Sequence, residues 1–291
     1  MKKIAVITDT NSGMTPEDAK EHGIIQVPMP FLIDEVPYLD TVNLTQDFFF
    51  EKLEAGADVS TSQPSPGSIK EIWDEALKTN DEVVYIPMSS GLSQSCETAK
   101  GLAEEYNGRV EVVDNRRISV TMRLSALDAV QLAAKGYDAK QIREILEREG
   151  SNSSIYITVD TLKYLKKGGR VTAAGAAIGT VLNIKPVLQI QGGKLDAKAK
   201  ARGMKNARKL MIEAVKNDCA TRFKEAFDQD RVIIQTSCTK VSPETLQSWL
   251  DEVQAAFPGK QIHHDPLALS IACHIGTGAL AVTATQIPAE L

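Results

Sequence analysis

The chain has 291 residues, 43% of them hydrophobic and 24% charged, which excludes wholesale disorder and allows two compact cores. Its 33 basic and 38 acidic residues give a formal charge of −5, which argues against nucleic acid as the main partner but leaves room for a local basic patch. Cys96, Cys219, Cys238 and Cys273 are scattered, with no C-x-x-C pair and no histidine at ligand spacing, so free thiols in a reducing cytoplasm are expected and no metal site.

The first half repeats one phrase: a short apolar strand, a loop of small polar residues, then a capped helix. Residues 3–8 read as a strand, because the apolar run is too short for a leader and Asp9 ends it. Thr15 caps a helix with Pro16 at its first position and Gly23 past its end. A second helix starts near Thr45 and stops at Gly56. Ser65 caps a third, whose Ile69, Ile72, Trp73, Ala76 and Leu77 share one face. Residues 82–88 form the next strand, followed by Ser89-Ser90-Gly91 and a helix over 93–106. A strand at 110–113 and two further helices complete this part. Strands alternating with amphipathic helices predict a mostly parallel sheet covered on both faces, with ligands at the carboxyl ends of its strands.

The second half predicts a strand at 155–159, a short helix at 161–167 and an apolar helix over 171–183. A hairpin follows over 185–202, turning at Gly192-Gly193. A long helix at 205–216, a strand at 231–237, a helix over 242–257 capped by Ser242 and a strand near 280–284 close an α+β domain. The expected organisation is an N-terminal α/β domain over 1–150 and a C-terminal α+β domain over 151–291. Residues 267–285 lack acidic, Lys and Arg side chains, but Ser, Thr, Gly and His274 mark them as buried in protein rather than inserted in a membrane.

Three features bear on chemistry. Thr61-Ser62-Gln63-Pro64-Ser65 and Ser89-Ser90-Gly91-Leu92-Ser93 each set hydroxyls and amides beside a helix start. Singly these hydroxyls read as N-caps; two such loops together read as a site for a small anion. His274, before Gly276-Thr277-Gly278, is either a core histidine satisfied by a carbonyl or part of a site. His263 and His264 read as exposed loop residues. Lys166, Lys167 and Arg170, with Lys194, Lys198, Lys200, Arg202, Lys205, Arg208 and Lys209, form a basic cluster. Such a cluster is either a solvated face or a surface for an acidic partner or a phosphate, and Lys194, Lys198, Lys200 and Arg202 would share one side of a strand.

The usual catalytic motifs are missing: no G-x-x-x-x-G-K-[ST], no G-x-G-x-x-G after the first strand, no G-x-S-x-G. Asp9 and Asp114 end strands and read equally as bases or loop caps. Binding is therefore favoured over catalysis, with no cofactor. The alternatives are a serine hydrolase using Ser93 or Ser89 with His274, and a nucleic-acid-binding protein using the basic cluster.

The chain resembles the DegV family of fatty-acid-binding proteins nearly end to end. The resemblance rests on Ile7-Thr8-Asp9-Thr10, the two hydroxyl loops, Tyr164-Leu165-Lys166-Lys167-Gly168-Gly169-Arg170, Leu182-Asn183-Ile184-Lys185-Pro186-Val187-Leu188 and His274-Ile275-Gly276-Thr277-Gly278-Ala279-Leu280. It departs from the family pattern at Gln94-Ser95, Asn115 and Thr277. The resemblance implies two domains with one long-chain fatty acid between them, its carboxylate held by Thr61, Ser93 and His274 with backbone near Ser62 and Gly91. It also implies a separate fatty acid kinase, with Arg170 and Arg202 as contacts, which phosphorylates the bound carboxylate for phospholipid synthesis. Ala177, Ile178, Val181 and Leu182 would line the acyl chain, a role that plain helix packing would also explain.

Overall fold

The computed structural model describes residues 2–176 and 184–291. The chain divides into two compact units, one of Met1–Ser151 with Pro288–Leu291 and the other of Asn152–Ile287.

In the first unit, β1 (Ile4–Asp9) leads through a 3-10 turn (Thr10–Ser12) to α1 (Pro16–Glu21) and β2 (Ile24–Val27). β3 (Pro30–Ile33), β4 (Val36–Leu39), α2 (Gln46–Glu54), β5 (Val59–Thr61) and α3 (Pro66–Ala76) come next. β6 (Glu82–Ile86), α4 (Ser95–Ala103), β7 (Val110–Val112), α5 (Val120–Ala134) and α6 (Ala139–Arg148) follow. The strands β2-β1-β6-β7 form a parallel sheet in that order. One face buries Val6, Val84 and Ile86 against Met122, Ala126 and Leu132 of α5 and Ile142 of α6. The other buries Ile7, Val83 and Tyr85 against Ile69 and Trp73 of α3 and Cys96 and Ala99 of α4. This is the doubly covered sheet that the alternation predicts. Its local determinants are the expected ones: Thr15 Oγ1 accepts from Asp18 N–H at 3.1 Å, and Ser65 Oγ from Ser68 N–H at 3.1 Å.

Four strands of this unit have no counterpart in the expected elements: β2, which forms an edge of the parallel sheet, and the three strands of a second sheet. β4-β3-β5 form a small antiparallel sheet whose strands are three or four residues long, too short for a period-two signal to stand out. Thr61 therefore ends an antiparallel strand, paired with Phe31, and not a strand of the parallel sheet.

The second unit holds β8 (Ser153–Thr158), α7 (Lys163–Gly168), α8 (Ala173–Ala176), β9 (Ile184–Ile190), β10 (Asp196–Arg202) and α9 (Gly203–Ala220). It continues with α10 (Lys224–Asp228), β11 (Val232–Cys238), α11 (Pro243–Ala256), β12 (His263–Pro266), α12 (Leu269–Ile275) and β13 (Leu280–Gln286). A mixed sheet runs β10-β9-β8-β13-β11-β12, with β11 and β12 parallel and the other pairs antiparallel. One face packs Tyr156, Val187, Ile234 and Val282 against Met211 and Val215 of α9 and Trp249 and Val253 of α11.

Several expectations change here. Only Ala173–Ala176 of the apolar helix expected over 171–183 is helical among the described residues, and 177–183 lie outside them. Val171 instead bridges to Leu195. The hairpin turn is wider than Gly-Gly, since the last β9–β10 pair is Gln189 with Asp196. A register shift between Ala197 and Ala199 breaks the expected basic stripe. Lys198 lies 5.4 Å from the Tyr156 ring on the helix-covered face, whereas Lys200 and Arg202 point to the other. His263 and His264 lie in β12 rather than a loop, and His264 Nδ1 is 2.9 Å from Thr236 Oγ1. No helix among the described residues is long and apolar enough to cross a membrane.

Candidate functional site

The first unit's hydroxyl loops are held by buried polar contacts. Asp9, at the end of β1, accepts from Asn11 N–H at 2.9 Å and Asn11 Nδ2 at 2.6 Å, and so caps the 3-10 turn. Its other oxygen accepts from Met88 N–H at 2.9 Å, which fixes the start of the loop after β6. Asp9 thus acts as a structural cap. Burial raises its pKa to about 6 against the pull of these three hydrogen bonds. Asp40 is likewise raised to about 6, mainly by burial, and Asp9 adds to the shift. The loop is held from a third side, where Ser89 N–H donates to the Arg117 carbonyl at 3.0 Å. The buried Arg117 guanidinium is itself anchored on Ser125 Oγ at 3.1 Å and the Glu149 carbonyl at 2.7 Å.

Within the loop, Leu92 N–H and Ser93 N–H donate to the Ser89 carbonyl at 3.0 and 3.2 Å, and Gly91 N–H donates to Ser89 Oγ at 3.2 Å. Ser89 is only 1% exposed, so its hydroxyl is a turn-forming acceptor rather than a presented nucleophile. Ser93 Oγ accepts from Ser95 N–H at 3.2 Å, which leaves its hydrogen available to donate. Ser93 is half-buried just ahead of α4.

The other loop follows β5. Thr61 is half-buried, Ser62 is exposed and its N–H donates to the Pro30 carbonyl at 3.2 Å. The two loops are linked, because Thr98 Oγ1 on α4 donates to Gln63 Oε1 at 3.1 Å. Thr61 and Ser62, and Gly91 and Ser93, thus belong to two tied loops of one unit. The Ser62 and Gly91 amides are engaged within the protein, so the hydroxyls are the better candidates for holding an anion.

His274, Arg170 and Arg202 belong to the second unit. His274 lies in the last turn of α12, which ends at Gly276 with φ 76°. A Cβ at Gly276 would come 2.6 Å from two ring atoms of Tyr164, so the absent side chain lets α7 pack against α12. Burial first, and the Arg170 guanidinium second, lower the His274 pKa to about 4. The imidazole is therefore neutral near pH 7, with one ring N–H to donate. Arg170 is partly buried just beyond Gly169, the left-handed cap of α7 at φ 65°. Its electrostatic reach to His274 has no signal in the local sequence. Arg202 is exposed at the end of β10. Ala177, Ile178, Val181 and Leu182 lie outside the described residues.

Ligand atoms of Cys96, Glu97 and Asp114 lie within 4.8 Å of one another. The Lys100 ammonium is 3.1 Å from Glu97 and 3.5 Å from Asp114, and burial chiefly pushes the Cys96 thiol up to about 12. A protonated thiol and an internal ammonium make this an ion-pair cluster and a poor cation site. Asp114 also accepts from Ser90 N–H at 3.4 Å, a loop contact and not the position of a free base. All four cysteines are buried and lie outside any disulfide.

Comparison with known proteins gives a consistent result. Residues 3–286 match the family described as uncharacterised proteins of the DegV family. A DegV domain-containing protein of Deinococcus radiodurans is 37% identical over 214 residues, covering 73% of this chain and 76% of that one. A fatty-acid-binding DegV-family structure from Thermus thermophilus is 30% identical with a TM-score of 0.84, covering 98% of this chain and 99% of the other. A fatty-acid-binding DegV-family structure from Streptococcus agalactiae is 26% identical with a TM-score of 0.86, covering 98% and 99%.

Proposed function

This chain belongs to the DegV family, and from that premise we propose that it binds a long-chain fatty acid and presents the carboxylate to a separate fatty acid kinase. The observation that carries the reading is the likeness, over 98% of the chain, to a Thermus thermophilus protein that binds fatty acid. The reading is of a cytoplasmic carrier that does no chemistry itself, acting with a partner that makes the acyl phosphate.

The proposed carboxylate partners are Thr61, Ser62 and Ser93 with the Gly91 turn from the first unit, and His274 from the second. The bonds already made by the Ser62 and Gly91 amides favour the hydroxyls as donors. A neutral imidazole beside Arg170 supports the choice of His274, since it donates without fully neutralising the carboxylate. An acceptor oxygen held by neutral donors keeps enough charge to attack a phosphoryl group. Arg170 and Arg202 are proposed as kinase contacts, and Ala177, Ile178, Val181 and Leu182 as acyl lining, where each buried CH₂ contributes about 0.8 kcal/mol.

Mass spectrometry of the purified protein after denaturation tests the reading directly. A stoichiometric long-chain fatty acid is expected. A protein that emerges empty and takes up neither oleate nor palmitate overturns it.

A further inference from the structure

The face of the second unit's sheet opposite α9 and α11 carries an ordered pattern that the proposed head-group site does not use. Register aligns two rows of side chains across five strands. One row is Ile190 on β9, Ile155 on β8, Thr283 on β13, Gln235 on β11 and His263 on β12. The next is Leu188, Ile157, Ala281, Ser237 and Asp265. The β9–β8 half is apolar, and the half from β13 to β12 is largely polar. At the sheet edge the polar half ends in a pair, with His263 Nε2 2.7 Å from Asp265 Oδ2.

The middle of the polar half is buried and holds three oxygens with no partner among the described residues. Gln235 and Ser237 are each 1% exposed and Thr283 is 0% exposed. Gln235 Oε1, Ser237 Oγ and Thr283 Oγ1 make no hydrogen bond to any of the described residues. Gln235 and Thr283 face each other directly across the ladder, and Ser237 lies two residues further along β11 on the same side. A single buried orphan of this kind is uncommon, and three adjacent ones on one face call for an external partner. Gln, Ser and Thr are neutral, and these two rows contain no Lys or Arg, so the matching group is uncharged and both donates and accepts.

We infer that this face is a subsite for a neutral hydrogen-bonding group, a hydroxyl above all, carried part-way along an otherwise aliphatic ligand. The inference rests on the fatty-acid reading and deepens it: the preferred ligands are acyl chains bearing a mid-chain hydroxyl. The methylenes lie on Ile155, Ile157, Leu188 and Ile190, and the hydroxyl is shared among Thr283, Gln235 and Ser237. A plain saturated chain leaves those three oxygens dry and unpaired, which is how a buried polar strip discriminates against a ligand that lacks the group.

The test is calorimetric titration of delipidated protein with stearate and with a mid-chain hydroxystearate. The wild type is expected to bind the hydroxylated acid roughly three- to ten-fold more tightly, the scale of one net buried hydrogen bond. Thr283→Val and Ser237→Ala, each checked by its melting curve, are expected to bring that ratio to one or reverse it. Stearate bound as tightly as hydroxystearate by the wild type overturns the inference, leaves the fatty-acid reading standing and reduces the strip to a place for buried water. A protein that binds neither acid overturns both. The wild-type ratio is decisive even where a variant fails to fold.

Discussion

The hydroxyl of Thr98 on α4 donates to Gln63 Oε1 at 3.1 Å and so joins the loop after β5 to the helix that follows the Ser89–Ser93 turn. Neither residue is a proposed ligand contact, yet together they decide whether Thr61 and Ser93 keep a fixed relation. Thr98→Val keeps the shape and removes the donor. The expected cost is about 0.5–1.5 kcal/mol of stability. Fatty-acid affinity should fall by a larger factor than in a variant of equal stability elsewhere, as measured by titration alongside thermal unfolding. Equal losses would show that the tie serves the fold alone.

His274 has its pKa lowered from 6.5 to about 4 in the folded chain. Because the unfolded chain takes up the proton first, stability is present above pH 6.5 and is lost as pH falls from 6.5 towards 4. His274→Gln should remove this acid-side slope, on the order of 1–2 kcal/mol after allowance for partial exposure. Thermal unfolding across that range checks the slope, and NMR titration of the His274 ring should report the low value directly.

Asp40 has the opposite sign. Its pKa is raised from 3.8 to about 6, so the folded chain holds the proton more tightly and the buried charge weakens the fold as pH rises through that window. Asp40→Asn should stabilise the protein by about 1–2 kcal/mol above pH 6 and give no gain below 3.8. Asp9→Asn is expected to destabilise instead, because Asp9 accepts three hydrogen bonds through both oxygens and an amide would turn N–H towards a donor.

Gly276→Ala should cost about 1–3 kcal/mol, since it combines a left-handed φ of 76° with a Cβ 2.6 Å from the Tyr164 ring. Chemical denaturation of Gly276→Ala with and without Tyr164→Ala separates the two causes. Relief of the clash should recover part of the loss and leave the backbone strain.

Arg170→Ala is expected to leave lipid binding nearly intact while lowering phosphorylation by the proposed kinase partner. It should also raise the His274 pKa part of the way towards 6.5, because burial remains the larger cause of its depression. Loss of the co-purified lipid would instead assign Arg170 to the head-group site.

What could be read from the sequence is what neighbouring residues impose on one another. The strand-helix alternation of the first half, the caps at Thr15, Ser65 and Ser242 and the doubly covered parallel sheet follow from apolar periodicity and side-chain oxygens within three residues of the amides they serve. The small β4-β3-β5 sheet escaped because its strands are too short to show a period, and the bulge at Lys198 because it depends on pairing with β9. Tertiary structure alone decided that Ser89 accepts from Gly91 inside its own turn and that Gln63 meets Thr98. It also decided that Arg170 acts on His274, and that one oxygen each of Thr283, Gln235 and Ser237 lines up on one sheet face with no partner among the described residues. The physical reason is common to all but the Ser89 turn: burial, strand register and charge–charge distance depend on residues far apart in the chain. Local spacing shows which side chains can donate, accept or titrate, and the fold determines which still have that capacity to offer a ligand.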